Sequence, residues 1–269
     1  MRKKYTLIIT ILSLIVGIMV LDVSIGRYLA EKDVLKKAEV FCREFPSSSK
    51  ASNFFAEYPE LLVPALIEIA KDEKSPQKRN ALFFLATMKE PRASDIFIKY
   101  LRSNDSKERV FAAQGIGNIG YKKASKDLAN AWFSETIGNK YNDKNGTYNV
   151  QREIAMALAK LGDEQTIPYL VQTYNTNNDN EKVKLLSVVA LYEISKDEKY
   201  LNIIKETLST KNYAMQHELI FLLSDICGKN NKNTIIPLLE KRIEDNDPKI
   251  RRAARDALIS IKLNADAGR

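Results

Sequence analysis

Three features of this chain have residue types and spacings that could do chemistry. The first is Gly115-Ile-Gly-Asn-Ile-Gly120, which matches G-x-G-x-x-G, the turn that presents backbone N–H groups to a pyrophosphate. That chemistry requires a strand before the first glycine and a helix beginning at the turn. The second is the single histidine, His217, followed directly by Glu218. One histidine excludes a two-histidine zinc site such as H-E-x-x-H, and the chain has no G-x-x-x-x-G-K-[ST] phosphate loop. The third is a pair of cysteines, Cys42 and Cys227, in no metal-binding or C-x-x-C spacing, so they read as two separate buried thiols. No metal or cofactor is expected from these residues.

The elements that would position the glycines decide the first case. ERVFAAQGIGNIG (108–120) aligns without gaps on VQREIAMALAKLG (150–162), so that Ala113 falls on Ala155, Gly115 on Ala157 and Ile116 on Leu158. The same frame fits IRRAARDALISIK (250–262) and VKLLSVVALYEIS (183–195), and more loosely QKRNALFFLATMK (77–89) and MQHELIFLLSDIC (215–227). The starts at 77, 108, 150, 183, 215 and 250 give spacings of 31, 42, 33, 32 and 35, one interval being lengthened by an insertion. Large apolar residues recur at the ninth and twelfth positions and in most units at the first, with small or apolar ones at the fifth and eighth and, in all but the last unit, at the sixth. That is a helical face, not a strand alternation. Gly115 and Gly117 are then expected at a close helix contact and Gly120 at a helix C-terminus, which leaves no place for a dinucleotide turn.

Each unit is preceded by another apolar segment: LLVPALIEIA, SDIFIKYL, KDLANAW, TIPYLVQTY, YLNIIKETL and TIIPLLEKRI. Pro64, Pro168 and Pro237 recur in three of them in matching context, which places each near a helix start, where a missing N–H costs little. Neither helix of a pair can bury its apolar face alone, so the pairs must stack.

ERVFAAQGIGNIG, VQREIAMALAKLGDE and DPKIRRAARDALISI resemble HEAT repeats in the short form found in phycobilin lyases and many bacterial proteins. The resemblance covers about residues 59–263 and implies an all-α, HEAT-like α-solenoid of about six helical-hairpin repeats. In this family the second helices usually line the concave side. The resemblance to phycobilin lyases also suggests chromophore attachment, although the repeats are shared by many proteins that are not enzymes. His217-Glu218 is similar to the His-Glu pairs with which deoxyhypusine hydroxylases hold iron. Those enzymes use several such pairs and this chain has one, so the iron site does not carry over.

On the second helices the third, seventh and tenth positions are expected to share a face. The third positions are Arg79, Val110, Arg152, Leu185, His217 and Arg252; the seventh are Phe83, Gln114, Met156, Val189, Phe221 and Asp256; Tyr192 is at a tenth. This row is more apolar than a solvated face should be. Arg79, Phe83, Arg152, Met156, Val189, Tyr192, Phe221 and Arg252 are therefore the candidate groove for a protein or peptide with apolar and acidic residues. The competing reading has these side chains packing against adjacent repeats. Lys249, Arg251, Arg252 and Arg255 on the last helix read as the solvated outer face of a terminal repeat.

The N-terminus differs from the rest. Met1-Arg2-Lys3-Lys4 precedes an uncharged run from Tyr5 to Leu21, and apolar character resumes after Asp22. At about 1.5 Å per residue the segment to Gly26 spans roughly 33 Å, enough to cross a hydrocarbon core of about 30 Å. Residues 1–26 are expected to be a single-pass transmembrane anchor, with a cleaved signal peptide as the competitor. The short basic head places itself inside and the repeats outside, extracytoplasmic and, in a bacterium, periplasmic. Residues 27–58 read as a linker helix and N-terminal cap with Phe54, Phe55 and Tyr58 against the first repeat, and 264–269 as a tail. The insertion GNKYNDKNGTYN (138–149) reads as a projecting loop. A net charge of +8, three of its cations in the head, gives no argument for nucleic acid. The function expected is a membrane-anchored scaffold that binds a protein or peptide, with no small-molecule substrate indicated. The alternative is a lyase-like or otherwise catalytic repeat protein acting on a cofactor-bearing protein.

Overall fold

A computed structural model describes residues 30–44, 50–137, 147–176, 180–226 and 232–266. The anchor expected at 1–26, Cys227 and most of the 138–149 insertion lie outside the described residues. Among the described residues every regular element is a helix, and none is long and apolar enough to cross a membrane. Contacts divide the chain into two compact units, residues 1–85 and 86–269.

The N-terminal unit holds α1 (residues 30–44), α2 (Lys50–Glu57), α3 (Pro59–Lys71) and most of α4 (Lys78–Thr87). Its core is aromatic: the Phe41 ring lies 4.8 Å from Phe84 and 5.7 Å from Phe55, in tilted and edge-on contacts. Asn80 ties α4 to α1 by donating to the Cys42 carbonyl at 2.8 Å. The Cys42 thiol is buried and free, and its burial, with Glu39 nearby, pushes its pKa up to about 12, which keeps it protonated.

In the C-terminal unit, α5 (Ser94–Tyr100) pairs with α6 (Ser106–Ile119), α7 (Ser125–Thr136) with α8 (Thr147–Leu161), and α9 (Ile167–Thr176) with α10 (Glu181–Ser195). Next, α11 (Glu198–Ser209) pairs with α12 (Tyr213–Ile226), and α13 (Lys232–Glu240) with α14 (Pro248–Asp266). The second helices α6, α8, α10, α12 and α14 also pack in succession, so they form one continuous row. The six helices predicted from the repeat frame are α4 and these five.

The chain is punctuated by the same chemistry after four of the second helices, α4, α6, α8 and α10. After a second helix comes one residue in the left-handed region, Lys89 (φ 55°), Gly120 (74°), Gly162 (59°) or Lys196 (57°). In three of the four an acid follows, Glu90, Asp163 or Asp197, and its carboxylate accepts the N–H two residues on, which caps the next first helix or the 3-10 turn leading into it. Entry into α6 and α14 uses Asp105 and Asp247 in the same way.

Gly120 closes α6 as expected, its N–H donating to the Ile116 carbonyl at 3.1 Å. Gly115 lies within α6 where a Cβ would come 2.5 Å from the Phe97 ring, and at Gly117 a Cβ would come 3.0 Å from the Ala157 backbone. The element before these glycines is helix α5, so the strand a dinucleotide turn needs is missing. The proline expectation holds only for Pro168, the second residue of α9. Pro64 and Pro237 are each the sixth residue of their helix, because α3 and α13 begin earlier than the apolar pattern does. Both prolines are exposed, which leaves the carbonyls of Glu60 and Asn233, four residues back, on the solvent side.

One recurring device went unread in the sequence. The second position of each repeat frame is polar, and in five repeats its side chain turns back to carbonyls near the end of the preceding helix. Arg109 donates to Ser103 and Asn104 at 2.8 and 3.2 Å, and Arg251 to Asp245 and Asn246 at 2.7 and 3.0 Å. Gln151 donates to Glu135 at 2.7 Å, Lys78 to Glu73 at 3.3 Å, and Gln216 to Thr210. Most of these acceptors lie in the turn between the two helices, so the bonds tie that turn to the start of the second helix. Arg251 is thus half-buried and engaged, not part of the solvated stripe expected on the last helix; Lys249, Arg252 and Arg255 are exposed.

Candidate partner-binding face

Of the eight groove candidates, Arg79 and Phe83 belong to the N-terminal unit, where both are exposed. In the C-terminal unit Arg152 and Met156 are half-buried on α8, Phe221 is 48% exposed on α12, and Arg252 is exposed on α14 beside Asp256. Val189 and Tyr192 are not part of an open surface. They are 2% and 6% exposed, because α10 is covered by the helices on either side of it.

The structure gathers charge around Arg152. Its guanidinium lies over the Phe221 ring at 4.3 Å and is ion-paired with Asp225, also on α12. One residue along α8, Glu153 meets Gln114 of α6; burial pushes its carboxyl above the ordinary range, against the pull of that hydrogen bond and of Arg152 and Lys160, and Asp225 adds to the rise. Two turns on, Lys160 donates to the Asn118 side chain at 3.0 Å, and Asn118 in turn donates to the Ala86 carbonyl at 3.2 Å. The Lys160 amine stays accessible, yet the protein around it lowers its pKa, with Glu153 and Asp225 opposing the shift and Lys89 adding to it. Lys182 of α10 and Glu218 of α12 make a second, longer ion pair at 3.9 Å.

Asn118, Lys160 and Asp225 all hold the eleventh position of the repeat frame, one place beyond the tenth position expected on this face. The tenth positions turn inward: Gly117, Ala159 and Tyr192 are buried. Ile259, the tenth position of the last described pair, is 56% exposed. The accessible face therefore runs along positions three, four, seven and eleven, an i, i+4, i+8 line that a helical projection could have supplied. Chemically it offers an exposed aromatic ring, a thioether and alternating charges whose solvation is incomplete, a combination suited to holding a side chain or extended segment.

His217 is exposed on α12, and among the described residues no group of three or more His, Cys, Asp or Glu side chains is placed to hold a metal ion. The N-terminal unit has its own cleft, about 730 Å³, lined by Val34, Leu35, Leu61, Pro64 and Ala65.

Residues 150–176 match the family described as PBS lyase HEAT-like repeat. They span α8, the turn that follows it and α9. No curated protein matches the chain in sequence. Among solved structures, the complex of CpcE and CpcF of phycocyanin lyase from Nostoc sp. superposes with a TM-score of 0.53 at 18% identity, over 83% of this chain and 94% of that one. An archaeal HEAT-like repeats protein from Thermococcus onnurineus gives 0.49 at 12% identity, over 87% of this chain and 97% of that one. At 18% identity the likeness to the phycocyanin lyase complex speaks to the fold alone. Residues 150–176 are thus a HEAT-like repeat, and the chain shares the all-helical fold of HEAT-like repeat proteins.

Proposed function

We propose that this chain is a membrane-anchored scaffold whose second-helix face, around α8 and α12, binds a protein or peptide. The observation that carries this reading is Phe221. It is 48% exposed, overlaid by an arginine and backed by desolvated charges, and an aromatic ring beside an arginine is the pairing that anchors contact surfaces. Among the candidates, Arg152, Met156 and Phe221 are the accessible contacts, with Glu153, Lys160 and Asp225 beside them. Arg2, Lys3, Lys4 and the uncharged run to Leu21 support an anchor with the repeats on the extracytoplasmic side.

The test is site-specific photocrosslinking of the full-length chain in its native membranes, with the probe at position 221 and, as control, at Glu206, exposed on α11. A discrete adduct from 221, absent from 206 and lost in an R152E background, supports the reading. Adducts that are absent from 221, or identical from both positions, overturn it. Catalysis on a cofactor-bearing protein is the competing reading; a bound chromophore absorbing in the purified chain would favour it.

A further inference from the structure

In a stack of helical pairs contacts are expected between neighbours, since each repeat adds one layer. Helices α8 and α12 are not neighbours, because α10 lies between them in the row, yet they touch. The contact is made by Arg152, which reaches a ring and a carboxylate 69 and 73 residues further along the chain.

The helix beneath is unlike the others in the row. At the third and seventh positions α6 shows half-buried Val110 and Gln114, α8 half-buried Arg152 and Met156, and α12 exposed His217 and Phe221. At the same positions α10 has Leu185 and Val189, 4% and 2% exposed, and every residue from Leu185 to Tyr192 is buried. A second helix buried on all sides needs a cover on the face its neighbours leave open, and α8 and α12, which pack on either side of it, also touch each other.

We propose that Arg152, Phe221 and Asp225 form a strap that crosses α10 and holds the second-helix face closed over three successive pairs. Arginine suits the task because its planar guanidinium stacks on a ring while its N–H groups engage a carboxylate, which a lysine ammonium cannot do together. Lys182 and Glu218 tie α10 to α12 on the same side. When the strap releases, the face opens and uncovers Leu185 and Val189, apolar side chains that the closed form withholds. This inference is independent of what the face binds, and its test needs no ligand.

The test is hydrogen exchange of the full-length chain, read by mass spectrometry over α10 and, as internal reference, over α5 and α6. An ion pair of this exposure and a cation–π contact each shift an opening equilibrium several-fold, so R152K and D225N should raise exchange in α10 by about 5- to 20-fold while the reference stays unchanged. R152D alone should open α10 at least as far, and R152D/D225R, which reverses the pair, should recover most of the protection. Unchanged α10 protection in R152K and D225N overturns the strap. So does a rise shared equally by α5 and α6, which would show general loosening, and so does failure of the reversed pair to regain protection.

Discussion

Breaking the buried ion pair between α6 and α7 should cost this protein a large part of its stability, and the size of the loss follows from geometry. Arg109 Nε donates to Glu135 Oε1 at 2.6 Å, and both side chains are only 1% exposed. The same guanidinium holds the carbonyls of Ser103 and Asn104. Arg109→Met keeps most of the side-chain volume, so little of its effect is a cavity. It takes the guanidinium away from the Glu135 carboxylate and a donor from two carbonyls. Removing one partner of a buried pair typically costs about 3–5 kcal/mol. With a urea dependence of about 2 kcal/mol per molar for a unit of this size, the midpoint should fall by roughly 2 M. Arg109→Met/Glu135→Leu, which removes both charges, should regain most of that loss, because the pair itself contributes little against a well-packed apolar substitute. Trp132 is the one tryptophan in the sequence. Fully buried, it donates to Thr173 Oγ1 at 2.8 Å one turn before Glu135, so its fluorescence reports on this layer directly. Urea unfolding of the full chain followed by that signal decides the matter. A single substitution within about 1 kcal/mol of the parent, or a double no more stable than the single, would refute the reasoning.

Two further outcomes are expected. Gly115→Ala places a Cβ 2.5 Å from the Phe97 ring, and overpacking of about 1–3 kcal/mol should outweigh the roughly 1 kcal/mol that alanine gains over glycine in a helix; equal or higher stability in urea would mean the ring yields without cost. For Glu153 the folded-state pKa is raised, so the native state favours the protonated form, and this contribution is full below the ordinary value of 4.5 and lost as pH rises through the shifted one. Glu153→Gln should therefore be more stable than the parent near neutral pH and lose that advantage as pH falls through the carboxylate range, which melting curves across pH will show; an advantage that does not vary with pH would count against the assignment.

Most of the fold was legible because repetition averages out local ambiguity. No single segment distinguishes GIGNIG from a nucleotide turn, but its register against VQREIAMALAKLG assigns Gly120 to a helix end, and the structure puts it at a positive φ. The prolines show where the frame was too coarse. It marked the apolar face of α3 and α13 but not their starts, which depend on caps and polar first turns that carry no apolar signal. The second-position side chains escaped for a related reason: arginine, glutamine and lysine share no type, and only the carbonyls they reach make them one device.

The site was less legible because it depends on contacts beyond the neighbouring repeat. A helical projection distinguishes the tenth position from the eleventh, and Lys160 and Asp225 could have been placed that way. Whether a given face is open depends on what its neighbours carry. VKLLSVVALYEIS is apolar nearly all round, the pattern of a helix covered on every side, and that alone argued against assigning Val189 and Tyr192 to a groove. What the pattern could not supply is the cover. An arginine on α8 and a phenylalanine and aspartate on α12 are unremarkable in their own repeats, and their meaning arises only when the row brings the two helices together across α10. Surface in a repeat protein is thus partly set two repeats away, and Arg152 acts at once as an accessible contact and as part of what closes the helix beside it.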